Sequence, residues 1–357
     1  MALLTLDDYR RAARKLLPTM TWDYYRSGAD GQTTLRANRR AFARWQIWPR
    51  VLVDVSVREL ATTVLGTRVT MPVLVAPTAY QKLAHADGEV ATARAAAAAG
   101  TIACLSTLAT TSLEEVAAAV DAPRWFQLYV HKDRGLTRAL VERAHAAGYG
   151  ALVVTVDTPL LGRRLSDERN GFGLPPHLTM ANFVDAARTQ PGGDGSALNR
   201  YIASRHDASL SWRDLAWLRS LSPLPLVLKG VLRADDAARA VDAGCAGLIV
   251  SNHGARQLDG APATLEALPS VAAAVGQRCE VLFDGGVRWG SDVVKALALG
   301  ARAVLLGRPI LWGLAVGGQD GARHVLEIVR DELSRAMALA GCPTLAAIDR
   351  DLVRPGP

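Results

Sequence analysis

The stretch ADDAARAVDAGCAGLIVSNHG, residues 234–254, holds the pattern that decides the fold. Residues 234–243 are alanine-rich with apolar positions three and four apart, which predicts a helix. Gly244 follows, where a helix C-terminus favours a residue free to adopt positive φ. A few residues later the apolar run Leu248-Ile249-Val250 leads into Ser251-Asn252-His253-Gly254. The same unit recurs around Gly100, Gly148 and Gly300, with 136–147 a second clear helical stretch. Ser112 with Glu115, and Ser211 with Asp214, have the spacing of a capping box.

Strand-like runs fall at 73–76, 102–106, 125–129, 152–157, 226–229, 248–252, 281–284 and 304–307. They are continuously apolar rather than alternating, as expected of parallel strands covered on both faces. Eight such units in series predict an α/β fold of the (β/α)8 TIM barrel type. The rival is a doubly wound open sheet, but no G-x-G-x-x-G follows the first strand. Residues 1–70 form an N-terminal extension with helical stretches at 6–17 and 21–27. Residues 158–210 form a long loop after the fourth strand, and its polar 190–195 portion suits a lid or binding loop. No linker divides the 357 residues, so 1–357 is read as one domain.

The composition narrows the function. Half the residues are hydrophobic and 21% are charged, which excludes general disorder. The net charge of +7 suits either nucleic acid or small anions. No basic run interleaved with aromatics supports the nucleic-acid reading. Cys104, Cys245, Cys279 and Cys342 are scattered, which suggests buried apolar residues and neither a disulfide frame nor a metal site. No apolar run approaches the ~18 residues of a membrane span, and no secretory signal opens the chain. A cytoplasmic protein is expected.

Barrel enzymes collect their chemistry at the C-terminal ends of strands. Here those ends read Pro77-Thr78-Ala79, Ser106, Gln127 and Tyr129, Thr155 and Asp157, Lys229, Ser251 to His253, Asp284-Gly285-Gly286, and Gly307-Arg308. The last two loops, with Arg288 close by, suggest a phosphate site, because glycine admits backbone N–H groups and arginine pairs with the oxygens. Tight turns with surface arginines are the plainer alternative. Asp157 could orient His253 and stabilise its cation. Arg256, three residues on, could hold a carboxylate, with Arg163-Arg164 either a second clamp or a solvated basic patch. Lys229 needs an anionic partner, a Schiff-base partner or an electron-rich ring. His85, His131, His145, His177, His206 and His324 have no comparable company and are read as surface or satisfied core residues.

The motifs DYYRSGA (23–29), APTA (76–79), FQLY (126–129), TVDTP (155–159), LKG (228–230), SNHG (251–254), RQLDG (256–260), DGG (284–286) and GRP (307–309) run in order along nearly the whole chain. Together they closely resemble the FMN-dependent 2-hydroxy-acid oxidases and dehydrogenases, a family that includes glycolate, lactate and 4-hydroxymandelate oxidases. The resemblance implies a barrel carrying non-covalent FMN and a homotetramer. It makes His253 the base and Asp157 its orienting partner. Arg164 and Arg256 would hold the substrate carboxylate, aided by Tyr24 and Tyr129. Pro77, Thr78, Ala79, Ser106, Gln127, Thr155, Lys229 and Ser251 would surround the flavin ring. Asp284, Gly286, Arg288, Gly307 and Arg308 would hold its ribityl phosphate.

The implied reaction takes an (S)-2-hydroxy acid to a 2-oxo acid, with oxygen reduced to hydrogen peroxide. Alanine at 79 accompanies oxidases. A quinone or another acceptor in place of oxygen is the alternative, and carbanion and hydride routes both stay open. Leu108 stands where glycolate oxidases have tryptophan. With Leu161 it implies an apolar, roomier substrate pocket, suited to lactate, longer aliphatic or aryl acids such as mandelate. Ala255 replaces a second glycine and would be strained if φ there is positive. Trp289 either covers the phosphate loop or lies on the surface.

Overall fold

The structure, a computed structural model, describes residues 2–183 and 204–356. The 190–195 portion of the long loop lies outside the described residues. Eight parallel strands close into a barrel: β1 (Val73–Val75), β2 (Ala103–Ser106), β3 (Arg124–Leu128), β4 (Leu152–Thr155), β5 (Leu226–Val231), β6 (Gly247–Val250), β7 (Glu280–Phe283) and β8 (Ala303–Leu306). Each pairs with its neighbours in sequence, and β8 pairs with β1, so the sheet has no free edge. All eight expected strands are present within one or two residues of their sequence bounds.

Period two sorts each strand into two faces. Val75, Leu105, Phe126, Leu128, Val154, Leu228, Val250, Phe283 and Val304 pack outward in the large core shared with the helices. Leu74, Cys104, Val153, Val227, Ile249, Leu282 and Leu305 form a separate apolar cluster inside the barrel. Two residues further along the same inward face stand Ser106, Thr155, Lys229, Ser251, Asp284 and Gly307. The barrel interior therefore changes from hydrocarbon to hydrogen-bonding groups within one residue pair, at the C-terminal end.

The opposite end is closed. An antiparallel hairpin, Thr62–Val64 with Thr67–Val69, buries Val64 and Val69 in the inner cluster. The Leu65 N–H donates to Glu280 Oε2 at 3.0 Å, and Arg302 Nε donates to the Thr63 carbonyl at 2.9 Å, so the plug is tied to the starts of β7 and β8.

In the N-terminal extension the helices Leu6–Leu16 and Thr19–Arg26 match expectation. A third, Thr33–Ala43, was not legible, because its N-cap Gln32 makes no side-chain cap. Its free N–H groups at Thr33 and Thr34 instead donate to Asp259, 225 residues away, at 3.1 and 2.8 Å. Between these helices the chain crosses the barrel mouth: Ala29 N–H reaches the Ala255 carbonyl and Asp30 N–H the Arg163 carbonyl, both at 2.8 Å. The Ser112–Glu115 capping box forms. Ser211 bonds Asp214 one turn ahead of a helix that begins only at Asp214. Gly100, Gly148, Gly244 and Gly300 all have positive φ at helix ends. All four cysteines are free, and only Cys279 is not fully buried.

The helix Arg308–Leu339 breaks at Gly317 and Gly318. Its two halves meet backbone to backbone: a Cβ on Gly313 would lie 2.5 Å from the Gly321 carbonyl oxygen. Backbone cannot yield as a side chain can, so Gly313→Ala is expected to destabilise the protein by about 2 kcal/mol. Thermal unfolding of the variant beside wild type measures this.

Candidate active site

At the mouth of the barrel lies a cleft of about 1050 Å³, open to solvent. Nearly every residue singled out from the sequence lines it: Tyr24, Pro77, Thr78, Ala79, Ser106, Leu108, Gln127, Tyr129, Thr155, Leu161, Arg164, Lys229, His253, Arg256, Asp284, Gly286, Arg288, Gly307 and Arg308. Asp157 and Ser251 stand behind the lining and act through neighbours. Tyr25, Ala76, Gly254 and Val287 also line the cleft and were missed; being apolar, or neighbours of chosen residues, they carried no separate signal.

His253 follows β6, and its Nδ1 is 2.9 Å from Asp157 Oδ1. Burial alone would raise the Asp157 pKa, but His253 and Lys229 outweigh it and hold the carboxylate below its usual range. An ionised carboxylate only accepts, so the imidazole carries its proton on Nδ1. That leaves Nε2 as the basic nitrogen. Burial is the main effect lowering the His253 pKa, opposed by Asp157. Thr158 Oγ donates to the same Asp157 oxygen at 3.0 Å. Asp157 lies against Gly230, at a bulge in β5 where φ is +110°; a Cβ there would come within 2.5 Å of the aspartate Cβ.

His253, Gly254 and Ala255 are consecutively left-handed, with φ of 58°, 63° and 62°. The expected strain at Ala255 is therefore present. Ser251 Oγ accepts the His253 N–H at 3.0 Å, and Asn252 Oδ1 accepts the Ala255 N–H at 3.0 Å, which holds the turn. Asn252 is itself locked by a reciprocal amide pair with Asn38, at 2.8 and 2.9 Å.

Lys229 Nζ donates to Ser251 Oγ at 2.9 Å and lies 3.3 Å from Asp284 Oδ2. Burial opposes its charge, yet Asp284 and Asp157 raise its pKa overall. A lysine kept protonated in this way does not suit Schiff-base chemistry and does suit an electron-rich ring. Ser106, Gln127 and Thr155 form a hydrogen-bonded row beside it, at 3.2 and 3.0 Å.

The Arg163-Arg164 pair divides. Arg163 is exposed and pairs with Glu168, whereas Arg164 is buried 3.9 Å from Asp167. Arg256 Nη1 donates to the Tyr24 and Ser27 carbonyls, and its guanidinium lies 4.8 Å over the Tyr24 ring. Arg308 is held by the carbonyls of Tyr25, Ser27 and Gly254. Arg288 stacks on Trp312 at 4.8 Å. Burial pushes Arg164 down to about 10 and Arg288 down to about 9. It also lowers Arg308 well below its usual range, aided by the neighbouring guanidinium groups. Trp289 is 42% exposed and stands at the N-cap position of the following helix, its N–H donating to Asp292, and it does not line the cleft.

Such an excess of buried cations requires anionic ligands. Gly286, at φ +95°, would place a Cβ within 2.5 Å of the Asn38 carbonyl, so the DGG loop fits only as glycine. The residues present thus fit a group with a phosphate at one end and a polar ring at the other.

Comparison with known proteins agrees. The FMN-dependent dehydrogenase family matches residues 13–355, and the chain belongs to that family. It is 56% identical to an L-lactate oxidase of Nostoc sp., over 97% of this chain and 96% of that protein. It is 52% identical to human 2-hydroxyacid oxidase 1, over 99% and 97%. A crystal structure of mandelate oxidase with (S)-4-hydroxymandelic acid superposes with a TM-score of 0.96 at 46% identity, covering 99% of each chain. The protein is an FMN-dependent oxidoreductase.

The arginine excess has a measurable consequence. Arg288→Met keeps the packing on Trp312 and removes a cation that is costly to bury. The flavin-free variant is expected to melt at or above the temperature of flavin-free wild type. Its FMN affinity should fall roughly 10- to 100-fold, the cost of one charge-assisted contact. Thermal melts and flavin fluorescence titration read the two effects separately.

Proposed function

We propose that this protein oxidises (S)-2-hydroxy acids to 2-oxo acids and passes the electrons to oxygen, forming hydrogen peroxide. The observation that carries the reading is the His253–Asp157 pair, with its basic Nε2, sharing one cleft with Arg164 and Arg256.

FMN, when bound, accepts the two electrons that leave the substrate α-carbon. Arg288, Arg308, Asp284, Gly286 and Gly307 would hold its ribityl phosphate. Pro77, Thr78, Ala79, Ser106, Gln127, Thr155 and Ser251 would surround the ring, with Lys229 supplying positive charge.

The remaining work falls to this chain's own side chains. Arg164 and Arg256 grip the carboxylate, and a planar fork suits that geometry. Tyr24, stacked on Phe172 at 4.0 Å and 7°, and Tyr129 complete the polar side of the substrate site. His253 Nε2 takes the proton, and Asp157 stabilises the resulting imidazolium. The buried Leu108 and the half-buried Leu161 supply an apolar wall, which favours lactate, longer aliphatic and aryl acids over glycolate. The reading extends to a cytoplasmic homotetramer. The stretch 48–57, with Val51, Leu52 and Val57 well exposed, is an apolar surface such an assembly would cover, and sedimentation measures the subunit count.

The deciding experiment uses the FMN-loaded protein. L-lactate, 2-hydroxyoctanoate or mandelate should bleach it anaerobically, air should restore the colour, and peroxide should appear. His253→Ala should stay yellow and fail to bleach; turnover surviving that change would remove His253 as the base.

Because burial depresses the His253 pKa, the neutral base persists below the ordinary imidazole value of about 6.5. Activity is therefore expected to be lost only as pH falls beneath that value. Asp157→Asn removes the charge that favours the imidazolium. It should move the acid limb lower still and reduce turnover on the order of 100-fold. A pH profile of kcat/KM shows both.

A further inference from the structure

Two of the histidines read as surface or satisfied core lie deep in the structure and are poorly paired. His131 and His206 are buried at 1% and 3% exposure. Among the described residues, neither ring nitrogen of His206 has a hydrogen-bond partner, and the His131 ring has at most a weak contact with the Tyr129 backbone. Polar ring atoms so poorly paired are costly to bury, which calls for a compensating role.

Their placement suggests one. Beyond β3 the chain runs Tyr129-Val130-His131, and it forms a short antiparallel clip with residues 205–207. Lys132 N–H donates to the Arg205 carbonyl at 2.9 Å and Asp207 N–H to the Val130 carbonyl at 3.0 Å. His131 and His206 are directly opposed between these bonds, the pairing in which side chains approach closest. Their rings meet edge to face, 5.5 Å apart at 84°. His206 then lies nearly parallel on Tyr129, 4.5 Å away at 29°. Arg134 fastens the clip by bonding Asp207 and Asp214, at 2.6 and 2.9 Å.

Tyr129 has a fixed backbone, since its N–H donates to Thr107 Oγ at 3.1 Å. No hydrogen bond to a described residue holds its hydroxyl. Its ring lines the cleft on one side, and with His206 it lines a second, solvent-open hollow on the other. Without a ring behind it, the tyrosine would be free to swing into that space.

We propose that His206, braced by His131, is a positioning residue that holds the Tyr129 hydroxyl over the substrate. This inference rests on the oxidase reading above. Stacking needs a flat ring and no charge. Accordingly burial keeps both imidazoles neutral, pushing His131 down to about 4 and His206 down to about 3.

The test compares FMN-loaded His206→Ala, His206→Leu and His206→Phe with wild type. Two measurements are made: anaerobic flavin bleaching by L-lactate or mandelate, and binding of 2-hydroxy-2-methylpropanoate. The latter has no α-hydrogen to lose and reports binding through the flavin spectrum. Ala and Leu should slow bleaching roughly 10- to 100-fold, the scale of a small misplacement, and weaken binding of the unreactive acid. Phe should recover the rate to within about threefold, because it restores the ring. In a Tyr129→Phe background, His206→Leu should have no further effect, since the hydroxyl being placed is gone. Full activity in His206→Leu would overturn the proposal, and so would an undiminished effect of that change in the Tyr129→Phe background. An unchanged yellow spectrum shows that a variant has folded. If wild type itself does not bleach, the oxidase reading fails; if wild type bleaches and His206→Leu matches it, only this inference fails.

Discussion

Positive charge in excess of its negative partners dominates the mouth of this barrel. Arg308 and Arg256 are satisfied by main-chain carbonyls, Arg288 rests on an aromatic face and donates to the Val287 carbonyl, and Arg164 has a carboxylate almost 4 Å away, beyond hydrogen-bond distance. Carbonyl oxygens fix the position of a guanidinium but neutralise little of its charge, so the protein holds these groups ready for anions it must bind. The surrounding architecture serves that state. The N-terminal crossing at residues 24–29 supplies the carbonyls, and the left-handed turn at 253–255 supplies one more. The Asn38–Asn252 amide pair keeps the two segments together.

Within this field of cations, the carboxylates are placed where they offset particular groups. Asp284 faces Lys229, and Asp157 faces His253. Each pair combines one charge that must persist with one hydrogen bond that sets its geometry. The bulge at Gly230 lets Asp157 lie close to the backbone of the strand carrying Lys229. The two pairs therefore feel one another, and both histidine and aspartate titrate below their ordinary ranges.

The eight-unit repeat, the strand ends and the glycine-rich loops at the cleft could be read from the chain because each leaves a local trace: a glycine after a helix, an apolar run, a polar cluster behind it. Asp157 and Ser251 were also found, although neither lines the cleft, because they occupy strand ends like the rest. Features set by distant contacts left no such trace. The helix Thr33–Ala43 is capped by Asp259 from the far side of the sequence, and Arg163 and Arg164 look alike until burial separates them. The histidine pair was misjudged for the same reason. Two residues 75 positions apart become neighbours only through a clip that no periodicity announces.

The hairpin at residues 62–69 has one more implication. By sealing the far end of the barrel with Val64 and Val69, it leaves the C-terminal mouth as the open end among the described residues. On the proposed function, entering hydroxy acid and departing ketoacid would both use that mouth, and both carry a carboxylate suited to the same guanidinium groups. Accumulating product would then compete with incoming acid for one berth.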